Sequence, residues 1–374
     1  MFLFCQCLFY YEFYYNLDQL LGDDILGYIL SNFIEHPNYK PLGIFPWNIE
    51  MVNAPSFWNI TKGGGRVVAV IDTGCLVTHP ELSGKIINPH NLVDFGTDVT
   101  DYNGHGTHVS GTIAGNTVGI APEARIMPLK VANPDGSLNG NAINEAFKLI
   151  IDWNKTCLLE DRVVAINCSF GSGFYDSIMG YMIRTLTSDG VVVCVAGGNS
   201  GDGRSDTNEI FSFPAFINEV VTVGSINQDG NIANYSNSFD GIDLAAPGTY
   251  IYSIWCDGGY KTISGTSMAT PHITGACALL ADRIYKREGR MPLLGEIDGI
   301  ADNLTQANGT LFKHIKKSTL HPNFIGLGIL DLTYENKRFS LYHNQSGAYF
   351  NQSGSITFSN DLTSKGIPNF IVKY

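Results

Sequence analysis

The chain has 374 residues, 44% of them hydrophobic and 16% charged, which is enough apolar material for one large α/β domain or two ordinary ones and excludes a disordered or fibrous chain. A formal net charge of −12, with no basic patch, argues against nucleic acid or an anionic membrane as partner. No stretch reaches the roughly 18 apolar residues of a membrane span.

The eight cysteines form no CxxC pair and no Cys/His metal spacing, and four sit inside apolar runs. They read as buried free thiols in a reducing compartment. The first 22 residues are aromatic and apolar, but Gln6, Glu12 and Asp18 interrupt them and no early Lys or Arg precedes them. That does not suit a secretory signal. A cytoplasmic location is expected; a secreted protein would need a start further upstream. Residues 23–43 show weak helical periodicity (Ile25, Leu26, Ile29, Leu30, Phe33, Ile34) and then a turn-rich stretch. Residues 1–43 are read as an extension.

From Ile44 the texture changes. Arg66–Ile71 is a continuous apolar, β-branched run ending in Asp72-Thr-Gly74, the pattern of a buried parallel strand. Further strand-like runs at 126–131, 163–169, 191–196, 220–224 and 242–246 alternate with helical stretches at 141–153 and 181–188. This alternation predicts an α/β fold with a doubly wound, mostly parallel sheet and helices on both faces, three layers deep. A further helix is expected within 291–330. The segment 332–374, poor in charge and carrying Asn-Gln-Ser-Gly twice, reads as a short β-appendage to a body spanning 44–331.

Ligands bind such sheets beyond the carboxyl ends of the strands, which is where Asp72 falls. His105 lies between two glycines at the start of an apolar helix, and Asn199 follows the strand run that ends at Ala196. Ser267 enters a long apolar helix, where free N–H groups favour a developing negative charge. Pro271 is read as belonging to that helix's first turn. Each feature has a plain alternative: a turn cap for Asp72, turn chemistry for Asn199, a helix cap for Ser267. A metal site on His105 and His108 lacks a third ligand nearby. Together they supply acid, base, nucleophile and amide donor, the set that acyl transfer needs.

Ile71-Asp-Thr-Gly74, His105-Gly-Thr-His-Val-Ser-Gly111 and Gly265-Thr-Ser-Met-Ala-Thr-Pro271, in that order, resemble the three signature blocks of the subtilisin-like serine proteases. The resemblance implies a serine endopeptidase with Asp72, His105 and Ser267 as triad, Asn199 as oxyanion donor and His108 as a structural histidine. It also implies protein or peptide substrates bound as an added β-strand between Gly136-Ser137-Leu138 and Ser169-Phe170-Gly171, with Ser212 at the base of the pocket for the residue before the cleaved bond. The alternative is a catalytically silent scaffold that binds peptides, which a missing triad residue would signal; none is missing.

Cys75, Cys194 and the stretch Gly201–Ile210 resemble the intracellular subtilisins in particular. The chain departs from many subtilisins at two places. The stretch Ile113–Pro122 is shorter than their calcium-binding loop, and Glu81 replaces a calcium-binding aspartate, so the tight structural calcium site is expected to be lost; no metal is expected in the chemistry. The extension is too short for a folded propeptide, and Ile44-Phe-Pro-Trp47 loosely resembles the segment that intracellular subtilisins lay across their own active site. Whether the extension inhibits the enzyme, assists its folding or is cleaved is left open by the sequence; self-inhibition is one of these readings.

Overall fold

Val67, Ala69 and Ile71 pack on one side of the central strand, and Val68 and Val70 on the other. This period-two alternation divides the core in two. It is seen in a computed structural model that describes residues 28–332 except 31–32, 42, 44, 134–136, 206–208, 210–211, 299–310, 312–314, 317–319 and 321–324, together with the backbone of 348–350 and 356–358.

The strands, in chain order, are β1 (Ile29–Leu30), β2 (Ile34–Glu35), β3 (Val67–Asp72), β4 (His90–Asn91), β5 (Arg125–Lys130), β6 (Val163–Cys168), β7 (Phe170–Gly171), β8 (Val192–Ala196), β9 (Val221–Ile226), β10 (Leu244–Pro247), β11 (Ile251–Ile254), β12 (Tyr260–Ser264), β13 (Ile315–Lys316) and β14 (Ile329–Leu330). The helices are α1 (Trp47–Met51), α2 (Ala54–Phe57), α3 (His105–Ala114), α4 (Gly140–Thr156), α5 (Ser177–Ser188) and α6 (Thr266–Glu288).

Nine strands form one sheet in the order β13-β14-β10-β9-β8-β6-β3-β5-β4. All neighbours are parallel except β13 and β14. The chain adds β5 on one side of β3 and later β6 on the other, so the carboxyl end of β3 stands where the order of addition reverses. That is the place where such sheets hold their ligands. Helices α3 and α6 cover one face, and α4 and α5 the other. The three-layer, doubly wound fold is as expected.

The helices follow their sequences. In α4 the buried residues Ala142, Ile143, Ala146, Phe147, Ile150 and Ile151 fall at i, i+3 and i+4 spacing, and Asn139 caps the helix by accepting from Ala142 N at 3.0 Å. Helix α6 is buried nearly all round from Thr266 to Asp282, as expected for a helix enclosed by the core. It ends at Gly289, whose φ of 67° is the left-handed conformation that favours glycine at this position.

Two expectations need correction. Helical periodicity in 23–43 is not realised in the described part: residues 29–30 and 34–35 are strands, β1 pairing with β7 and β2 with β12. Pro271 does not lie in the first turn of α6; it is the sixth residue and sits inside the helix. The further helix expected within 291–330 falls on a stretch mostly outside the described residues.

The chain divides into two compact units, Met1–Asn336 and Lys337–Tyr374. In the second, β15 (Ala348–Phe350) and β16 (Ile356–Phe358) pair antiparallel.

Candidate active site

Asp72 is the last residue of β3 and His105 the first of α3, and the fold brings them into contact. His105 Nδ1 lies 2.8 and 3.0 Å from the two carboxylate oxygens of Asp72. A carboxylate only accepts, so Nδ1 carries the proton and Nε2 is left as the acceptor. Both side chains are buried, and Nε2 has no hydrogen-bond partner among the described residues. Burial opposes protonation of His105, but the Asp72 charge and hydrogen bond, with Asp101 behind them, outweigh it and raise the imidazole pKa.

The approach depends on glycine. A Cβ on Gly106 would lie 2.2 Å from Gly74 O and 3.0 Å from Asp72 Cβ. Gly104, at a φ of 101°, lies against Trp255 and has no room for a side chain. Asp101, unremarked in the sequence, organises the turn: it accepts from Thr73 Oγ1, Asn103 N, Gly104 N, Thr107 N and Thr107 Oγ1 at 2.7–3.0 Å. Thr73 Oγ1 in turn accepts from Gly106 N at 2.9 Å. One buried carboxylate thus ties the end of β3 to the start of α3.

Ser267 is the second residue of α6, with its backbone N–H among those a helix start leaves without an intrahelical partner. Its Oγ donates to Ser169 O at 3.2 Å, and Ser169 Oγ donates to Ser267 O at 3.1 Å. Asn199 is oriented by its carbonyl, which accepts from both Thr266 N and Thr266 Oγ1 at 2.8 Å. Its amide nitrogen is therefore directed to the side of Gly265, where a Cβ would lie 3.1 Å from it. His108 stands apart from this chemistry: buried, with Nε2 3.1 Å from Ile251 O, its pKa is pushed down to about 3 by desolvation.

The expected substrate strands are occupied by the chain itself. β1 lies antiparallel to β7, with Ile29 opposite Gly171 and Leu30 opposite Phe170. Tyr28 forms an antiparallel bridge to Leu138. Further along the same stretch, β2 pairs with β12, Ile34 opposite Ser264 and Glu35 opposite Ile263. His36 N donates to Thr262 O at 2.8 Å. Between the two pairings, the Phe33 ring lies 5.8 Å from that of His105 and 6.1 Å from that of Trp255. Side chains add to the backbone pairing: Lys261 Nζ lies 2.5 Å from Glu35 Oε1, and His36 Nε2 is 2.7 Å from Ser264 Oγ.

The residues paired beside the site are therefore 28–30 and 33–36, and not Ile44-Phe-Pro-Trp47 as the sequence suggested. Trp47 opens α1, and Ile44 lies outside the described residues. Leu138 bridges to Tyr28, while Gly136 lies outside the described residues. Ser212 packs so closely on Gly171 that a Cβ there would lie 1.8 Å from its Oγ. The positioning residues Tyr28, Phe33, Asp101 and Ser264 were missed, and Tyr28 and Phe33 fell inside the stretch read as helical.

A second polar cluster lies under the short loop after α3. Glu81 accepts from Thr117 N at 2.7 Å, Thr117 Oγ1 at 2.5 Å and Tyr260 OH at 2.9 Å. Lys85 Nζ donates to Ala114 O at 2.5 Å and Glu81 O at 3.1 Å. Burial lowers the Lys85 pKa to about 8, opposed by Glu81 and Glu123, which leaves it charged at neutral pH. Among the described residues no group of three or more His, Cys, Asp or Glu converges to hold a metal. Cys75, Cys168, Cys194 and Cys277 are buried free thiols, as expected, and Cys5 and Cys7 lie outside the described residues.

Comparison with known proteins identifies the family. The profile of the subtilase family matches residues 63–291. The chain is 40% identical over 261 residues to the intracellular serine protease of Paenibacillus polymyxa, covering 67% of this chain and 77% of that one. It is 36% identical over 287 residues to the major intracellular serine protease of Bacillus subtilis strain 168, covering 74% and 85%. Thermitase of Thermoactinomyces vulgaris is 32% identical over 240 residues, covering 63% and 81%. The likeness to the intracellular subgroup read from Cys75 and Cys194 is thus matched by two relatives of that name. Among the described residues no helix is long and apolar enough to cross a membrane. The chain belongs to the subtilase family, and is a serine endopeptidase of the subtilisin-like kind.

Proposed function

We propose that Asp72, His105 and Ser267 are the catalytic triad and Asn199 the side-chain oxyanion donor. The observation that carries this reading is the double contact of Asp72 with His105 Nδ1, which fixes the tautomer and leaves Nε2 as a buried acceptor without a hydrogen-bond partner among the described residues. Ser267 Oγ turns from Ser169 O to Nε2, gives up its proton there and attacks the substrate carbonyl. The oxyanion is met by Asn199 Nδ2 and Ser267 N–H at the positive end of α6. His105 then protonates the leaving amine, and water hydrolyses the acyl-enzyme by the reverse sequence. Substrate is bound through its main chain against Leu138 and Phe170–Gly171, so the enzyme accepts many sequences. Hydrolysis of an unfolded protein substrate by wild type but not by Ser267→Ala tests the assignment, and equal rates would sink it.

The same reading makes residues 28–30 and 33–36 parts of a self-inhibitory segment, bound as a substrate would be. Its support is the pairing with β7 and with β12, with Phe33 against His105. Leu30→Pro removes a backbone donor from β1 and should release the cleft. The full-length variant should hydrolyse peptides several-fold faster than wild type; an unchanged rate would remove self-inhibition from the account.

The cluster around Glu81 does not fit a tight calcium site. Its carboxylate is already engaged by three donors, and the Lys85 ammonium sits on two carbonyl oxygens of the kind a calcium ion would take. Lys85 is read as a built-in cation in place of the metal. The names of the two intracellular relatives support a cytoplasmic location.

A further inference from the structure

The residue that anchors one end of the bound segment sits in a pocket with a charged end wall. Tyr28 is only 3% exposed. Its ring meets that of Phe170 edge to face, with centroids 6.2 Å apart and planes at 86°. On another side lies Gly140, where a Cβ would come within 3.0 Å of Tyr28 Cε2, so the ring uses space that only glycine leaves. At the far end, Tyr28 OH donates to Asp176 Oδ2 at 2.9 Å.

Asp176 is held in place by other donors. Its Oδ1 caps α5, accepting from Ile178 N at 2.9 Å and Met179 N at 3.0 Å. Its Oδ2 also accepts from Asn144 Nδ2 at 3.0 Å. The carboxylate therefore presents a fixed acceptor to whatever fills the pocket. A phenol matches both the apolar walls and the acceptor. Phenylalanine would bury the acceptor beside a ring edge with one donor lost. A lysine would reach the carboxylate but forfeit the edge-to-face contact.

We propose that Asp176 makes this subsite selective for tyrosine in the substrate, read through its hydroxyl. The proposal rests on the reading of residues 28–30 and 33–36 as parts of a segment bound in the manner of substrate, and it names the side chain that the active enzyme selects. Backbone pairing alone is indifferent to sequence, so such a pocket is where the enzyme gains discrimination.

The test uses internally quenched peptides carrying Tyr, Phe, Lys or Ala at each of the four positions ahead of the cleaved bond. They are assayed with full-length wild type and Leu30→Pro, each with and without Asp176→Ser. Serine keeps a cap for α5 but has no second oxygen. At one position, kcat/KM for Tyr should exceed that for Phe by roughly 10- to 100-fold, the range for a hydrogen bond to a charged group. Asp176→Ser should bring that ratio close to one. If Asp176→Ser fails to fold, Asp176→Asn serves: its oxygen is needed for the cap, so the phenol meets a neutral amide in place of the carboxylate, and the ratio should fall below about 10-fold, the range for a neutral hydrogen bond. Equal rates for Tyr and Phe at all four positions, a ratio that survives loss of Asp176, or a preference for Lys would overturn the proposal. Failure of the self-inhibition reading shows separately, as Leu30→Pro and wild type cleaving every peptide equally fast.

Discussion

Ser169 and Ser267 exchange hydrogen bonds: Ser267 Oγ donates to Ser169 O, and Ser169 Oγ to Ser267 O. The second bond answers a fault in α6. Ser267 O would ordinarily accept from the N–H of residue 271, but Pro271 has none. The Ser169 hydroxyl supplies the missing donor, itself oriented by Asn167 Nδ2 at 2.9 Å. A residue beside β7 thereby fixes the turn of helix that carries Ser267.

Ser169→Ala should therefore destabilise the protein by about 1–3 kcal/mol, the cost of a buried carbonyl left without a donor. Pro271→Ala restores a backbone N–H and should stabilise the Ser169→Ala protein by about 1 kcal/mol more than it stabilises wild type. Urea unfolding of the four proteins measures this coupling. Additive effects would show that the hydroxyl does not stand in for the proline's missing donor.

Asn199→Ala should lower kcat about 10²- to 10³-fold with little change in KM. That magnitude is the one found for the equivalent donor in subtilisin, of the same family. Steady-state kinetics decides it, and a loss confined to KM would make Asn199 a ground-state contact.

The pH dependence follows from His105. The base must be neutral to accept the serine proton, and Asp72 raises its pKa against the opposing effect of burial. A raised pKa moves the rising limb of the profile to higher pH, so kcat should climb with pH through an inflection above the ordinary histidine value of about 6.5. Asp72→Asn removes the charge and should lower both the inflection and kcat. An inflection below 6.5 in wild type would contradict the electrostatic account.

Lys85→Met should destabilise the protein by about 1–3 kcal/mol, because Ala114 O loses its donor while Glu81 O keeps only Asn116 N. Wild type should show the same unfolding midpoint with and without a calcium chelator. A midpoint that drops on chelation while Lys85→Met is harmless would place a metal where the lysine is read.

The sheet was legible because buried parallel strands are written as unbroken apolar runs such as Val67–Ile71, and their spacing leaves little choice of topology. Asp72, His105 and Ser267 were legible because each approach demands glycine at fixed offsets, as the crowding at Gly74 and Gly106 shows. Residues 28–30 and 33–36 were not. A segment held by its main chain against two edges needs no particular periodicity, and Ile29, Leu30, Phe33 and Ile34 happen to fall at helical spacing. Asp101 and Asp176 were missed for a related reason. Each lies beside a turn where aspartate is ordinary, and only tertiary contact shows what its second oxygen holds.

Ser267 is proposed as an active nucleophile in a cleft closed by residues 28–30 and 33–36. Intact-mass spectrometry of full-length wild type, Ser267→Ala, Leu30→Pro and the double variant, each exposed to a serine-directed fluorophosphonate, tests it most directly. The account predicts one label on Leu30→Pro, slower labelling of wild type, and none on either protein lacking Ser267, where the loss in turnover should be on the order of 10⁶-fold, as in subtilisin. Labelling of the Ser267→Ala proteins, or no label on Leu30→Pro, would contradict it.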